Sequence, residues 1–110
     1  MASLIVAPVN SLASSVGSGS VTVELSIISG GPTGQGVDLI AVSPAPPGQP
    51  GCASPNPGGY AIDLSTAGGR AAAALVLSAV TQNEKITVVG NGTCGLWGDR
   101  ETAVWVSKSP

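Results

Sequence analysis

The chain has 110 residues, 43% hydrophobic and 9% charged, with a formal net charge of −2. That length suits one domain with a modest core. Its cations are Arg70, Lys85, Arg100 and Lys108 alone, too few to form the clustered Lys/Arg face that binds phosphates. The composition therefore argues against nucleic acid as a partner and against electrostatic attachment to an anionic membrane.

Sixteen glycines and nine prolines accompany many Ser, Thr and Val residues, a mixture that favours strands and turns. Aromatics are restricted to Tyr60, Trp97 and Trp105, so the core must be aliphatic. A surface so poor in charge resists association weakly. It fits either an ordinary low-charge secreted domain or a subunit whose surface is largely covered by neighbours in an assembly.

The N-terminus reads MASLIVAPVNSLASS. It lacks a basic stretch, and Leu4–Ala7 is too short for the apolar segment of a signal peptide. The expectation is either a chain that stays in the cytosol until assembly or a sequence from which an export signal has been removed. No stretch approaches the roughly 18–20 apolar residues of a membrane span. Leu4 to Val9 reads as a strand that Pro8 confines to a sheet edge. Residues 1–19 are assigned as an N-terminal edge strand or arm, with Leu4, Ile5 and Val6 as candidate partner contacts.

Val21 to Ile28 is the clearest strand. Val21, Val23, Leu25 and Ile27 alternate with Thr22, Glu24 and Ser26, which predicts one buried and one solvated face. After the connection GGPTGQG, Val37 to Val42 is apolar on both faces. It suits a central strand, or one whose outer face a partner covers, so Ile40 and Val42 join the candidate contacts. Pro44 to Gly59 holds six of the nine prolines and reads as a long loop.

Tyr60 to Leu64 reads as a short strand, and Ser65 to Arg70 as a turn. In Ala71 to Ser78 the alanines favour helix. Leu75, Val76 and Leu77, set between a Gly-Gly turn and a Thr-Gln-Asn turn, favour the strand adopted here. Glu84 to Gly90 is a strand, Asn91-Gly92 a turn, Gly98 to Thr102 a charged turn, and Ala103 to Lys108 the last strand. Seven or eight short strands predict an all-β, two-sheet antiparallel sandwich over residues 1–110.

Cys52 and Cys94 lie 42 positions apart in two Gly-rich loops. A disulfide between them is the preferred reading, with two buried free thiols as the other. The spacing fits no zinc pattern, and with no His in the chain most metal and triad chemistry is lost. No cofactor is expected.

Asp99, Arg100 and Glu101 form the densest charge cluster. No nucleophile accompanies them, so they read as a solvated turn and not as an acid–base pair. Asn91-Gly92-Thr93 matches a glycosylation sequon but is explained by its turn chemistry. GGPTGQG lacks the Gly-Lys-Ser/Thr end of a phosphate loop.

Trp97, Trp105 and Tyr60 could stack on a sugar. The favoured alternative packs one tryptophan against the disulfide in a sandwich core. If Val104 and Val106 face the core, Trp105 faces outward. Trp97 and Trp105 complete the candidate partner contacts.

From Val21 to Lys108 the order of elements resembles bacterial immunoglobulin-like domains of the invasin/intimin type. The matching pieces are VTVELSIISGGPTGQGVDLIAV, STAGGRAAAALVLS, KITVVGNG and AVWV. The chain is also similar in size and style to Ig-like decoration or cement proteins on tailed-phage heads. The resemblance implies a non-enzymatic virion subunit. Its partners would be a major capsid protein or copies of itself. The alternative is an extracellular adhesin or filament domain, or a carbohydrate-binding module.

Overall fold

The computed structural model describes residues 21–30 and 36–108. The N-terminal arm with Leu4, Ile5 and Val6 lies outside them. The described residues hold five strands: β1 (Val21–Ser29), β2 (Val37–Ser43), β3 (Gly59–Asp63), β4 (Lys85–Gly90) and β5 (Glu101–Lys108). One α-helix, α1 (Ala67–Gln82), joins β3 to β4.

The chain is therefore mostly β, but the expected sandwich of seven or eight strands is replaced by a closed five-stranded barrel. The strands follow the order β1-β2-β3-β5-β4. β1, β2 and β3 form an antiparallel meander. β3 meets β5 in a short parallel pairing at Tyr60–Glu101 and Ala61–Thr102. β4 lies antiparallel to both β5 and the start of β1. A five-stranded barrel wound in this order, with its helix between β3 and β4, has the connectivity of the OB-fold.

Residues 71–78, read as a strand, lie inside α1. Val76 and Ala79 are buried, with Ala72 and Leu75 packed against the same core. These positions repeat at the three- and four-residue spacing of one helix face. The Thr66 hydroxyl accepts from the Gly69 amide at 2.9 Å and caps the first turn. Asn83, in the left-handed conformation, ends the helix. Gly69 is required inside the first turn, because a Cβ there would lie 1.6 Å from the Asp63 carbonyl oxygen. That glycine pair made a helix start look like a turn.

Inside the barrel, Val21, Val23, Ile40, Val42, Tyr60, Ile62, Ile86 and Val88 meet Val76 and Ala79 of the helix. Ile40 and Val42 are 1% and 5% exposed. They are core residues and not the partner contacts the sequence suggested. β2 is central, so both of its faces are covered by the chain itself.

Two β-bulges change which side chains face out. Val23 pairs with Val42, but Leu25 pairs with Ala41 and Ser26 with Ile40. The extra residue, Glu24, flips the alternation. Val21 and Val23 stay inside, while Leu25 and Ile27 turn outward. The single apolar face expected for Val21–Ile27 is thus split. β5 does the same: Gly90 pairs with Ala103 but Val89 with Trp105, leaving Val104 extra. Val104 and Trp105 both end on the outside, each 62% exposed.

Candidate functional site

The β2–β3 surface and the loops after β1 and β4 are where proteins of this topology hold oligonucleotides and oligosaccharides. Here that surface is closed by the chain itself. The outward residues Val37, Leu39 and Ala61 form a second apolar cluster, covered by Leu96 and Trp97 of the β4–β5 loop. Trp97 is half-buried on this cluster, which consumes the stacking face an open OB surface would offer.

Several bonds hold the cover in place. Cys52, in a short 3-10 helix at Gly51–Ala53, forms a disulfide with Cys94, with Cα atoms 6.2 Å apart. Asn56 Nδ2 donates to the Asp99 carbonyl at 3.2 Å. The Thr102 amide donates to the Thr93 carbonyl at 2.8 Å. The Gly92 amide donates to Oε2 of the buried Glu101 at 2.8 Å. Asn91 Oδ1 accepts from the Thr93 amide at 2.9 Å, the local turn that the sequon sequence encodes.

The proline-rich loop is equally tied. Gln49 ties its middle to its end, with Nε2 donating to the Gly59 carbonyl and Oε1 accepting from the Gly58 amide, at 3.1 and 2.8 Å. The Val42 amide donates to the Gly58 carbonyl at 2.9 Å. A Cβ on Gly58 would lie 2.2 Å from the Val42 carbonyl oxygen.

The charged triplet divides. Glu101 is buried, whereas Asp99 pairs with Arg100 at 3.0 Å. The expected solvated turn therefore holds for only part of this segment. Among the described residues no group of three or more His, Cys, Asp or Glu side chains is placed to hold a metal. No described helix is long and apolar enough to cross a membrane.

The three aromatics do not share a surface. Tyr60 is fully buried in the barrel, Trp97 covers β2 and β3, and Trp105 stands beside α1. The sugar-stacking arrangement of all three is not formed. Val104, Trp105 and Val106 line a shallow cleft with Gly68, Ala72 and Leu75 of the helix.

A second concavity, of about 520 Å³, lies between β1 and the opposite flank of α1. Its walls are Leu25, Ile28, Ala73, Ala74, Leu77 and Val80, and its polar groups come from Glu24, Ser26 and Asp38. Asp38 is only 1% exposed. Its Oδ1 accepts from the Ser26 hydroxyl at 2.7 Å. Desolvation raises the Asp38 pKa above the ordinary carboxyl value, and the Ser26 bond offsets part of that rise. Sequence reading missed this concavity because Glu24–Ile28 and Ala73–Val80 meet only in the tertiary fold. The Glu24 bulge decides which β1 side chains reach it.

No family model, curated protein or solved structure matches this chain.

Proposed function

We infer that this protein is a non-enzymatic structural subunit that docks on other protein surfaces, most plainly as a decoration or cement protein on a bacteriophage coat. The observation that carries this reading is the exposure of Val104 and Trp105 side by side on the β5 bulge. A bulge is a built feature that re-aims side chains. Here it places two large apolar groups in water beside a helix flank that is itself uncharged. A tryptophan in that position buries a large area on contact while its indole N–H can still find an acceptor.

Docking would proceed by removal of apolar area from water, at about 25 cal/mol per Å². Many symmetry-related copies would each contribute a weak contact. A barrel stapled across its loops gives such a surface little conformational freedom to lose. The self-covered β2–β3 face and the scarcity of cations support a protein partner over nucleic acid.

The disulfide supports a second reading, an extracellular adhesin or filament module, because such bonds form in oxidising compartments and are rare in the cytosol. One fractionation separates the two. Source particles are sedimented and probed for this chain, with Trp105→Ser expressed in parallel. Co-sedimentation with coats, lost in Trp105→Ser, is the expected result. A monomer found free in the culture medium with no coat association overturns the virion reading.

A further inference from the structure

We propose that the concavity between β1 and α1 binds a small amphiphilic cation, with its apolar body along Leu25, Leu77 and Val80 and its ammonium head on the Asp38 carboxylate. The site lies away from the Trp105 surface and does not rest on the protein-docking reading.

Size is the first argument. About 520 Å³ falls within the roughly 300–1,000 Å³ range of small-molecule sites. Such sites are mostly apolar with a few placed polar groups, and the walls here follow that pattern. Ala73 and Ala74 keep the helix side of the groove low, so its space comes from small residues that larger ones would fill.

Charge complementarity selects the ligand. Asp38 and Glu24 line the groove, and no Lys or Arg does. The four cations of the chain are engaged elsewhere. The Arg70 guanidinium donates to the Leu64 carbonyl, Lys85 Nζ to the Thr22 hydroxyl, Arg100 pairs with Asp99 and Lys108 with Glu84. A carboxylate buried without a cation is costly, and a charged partner offsets that cost. The Ser26 hydroxyl donates to Oδ1 and orients the Asp38 carboxylate at the floor of the groove. A neutral ligand of the same shape would satisfy the walls but not the floor.

The test is an amide-shift titration of the isotopically labelled full chain with n-hexylammonium, run beside n-hexanol. The expected result is saturable shifts centred on Ser26, Asp38 and Leu77, with at least tenfold tighter binding of the amine. Asp38→Asn should erase that preference, and Ala74→Phe, which fills the groove, should abolish binding of both probes. If Asp38→Asn does not fold, Leu77→Lys sets a cation at the exposed mouth and should weaken the amine selectively. Equal affinity for the alcohol, no localised shift at millimolar amine, or an unchanged preference in these folded variants would overturn the proposal.

Discussion

Gly90 on β4 lies directly against the buried carboxyl group of Glu101 on β5. A Cβ placed at Gly90 would stand 2.1 Å from Glu101 Cδ and 2.2 Å from Oε2. The same Oε2 accepts from the Gly92 amide, so this contact orders the start of the β4–β5 loop that covers the barrel face. Gly90→Ala must displace a buried carboxylate from its donor. Overpacking of this kind costs about 2 kcal/mol. Urea denaturation should show that loss, and Gly98→Ala, where a Cβ meets nothing within 4 Å, should lose far less.

The Cys52–Cys94 bond joins residues 42 positions apart. Chain-entropy reasoning gives such a crosslink about 4 kcal/mol through the unfolded state. The double variant Cys52→Ser/Cys94→Ser should therefore unfold at markedly lower denaturant. It should also expose Leu39 and Ala61 as the cover loosens, read as dye binding or faster amide exchange on β2 and β3. A loss below about 1 kcal/mol would count against the loop-entropy account.

The two tryptophans should behave in opposite ways. Trp97 covers Val37, Leu39 and Ala61, so Trp97→Ala should destabilise by about 2 kcal/mol, less than the roughly 3–5 kcal/mol of a fully buried aromatic. Trp105 is 62% exposed, and Trp105→Ala should change stability by no more than about 0.5 kcal/mol. Thermal unfolding of both variants checks the contrast. A large loss at Trp105 would mean that it packs against the chain and does not wait for a partner.

Two aspartates give stability opposite pH dependences. Burial holds Asp38 above its ordinary value of 3.8, so the folded state binds that proton more tightly than the unfolded one. Its contribution strengthens as pH falls and is lost as pH rises from 3.8 through the raised folded value. Asp63 is held below 3.8 by hydrogen bonds from the Ser65 side chain and backbone. Its contribution is present above 3.8 and is lost as pH falls through the lowered folded value. Asp38→Asn should raise the denaturation midpoint at pH 7 and flatten the profile just above pH 3.8. Asp63→Asn should flatten only the acid limb. A midpoint at pH 7 that drops in Asp38→Asn would show that the ionised carboxylate stabilises the fold.

By itself the sequence determined most strands and the turn chemistry, and it favoured the loop staple. Strands near 21–28, 37–42, 60–64, 84–90 and 103–108 were legible because apolar and β-branched runs end at Gly, Pro, Asn and Asp. The cysteine pairing was the preferred reading over two buried thiols because Cys52 and Cys94 each sit in a Gly/Pro-rich loop, where a covalent tie helps most. The helix was misread because Gly68 and Gly69 look like a turn, although Ala72, Leu75, Val76 and Ala79 carry its spacing.

Only the tertiary structure decided which residues face out. Glu24 and Val104 are single extra residues in their ladders, and each reverses the alternation of every side chain beyond it. A strand read alone has no partner against which to count, so the outward turn of Leu25 and of Val104 had no local signature, although parity with Val106 already set Trp105 outward. The same holds for Ile40 and Val42. Their apolarity was plain in the sequence, but only closure of the barrel assigned it to the core.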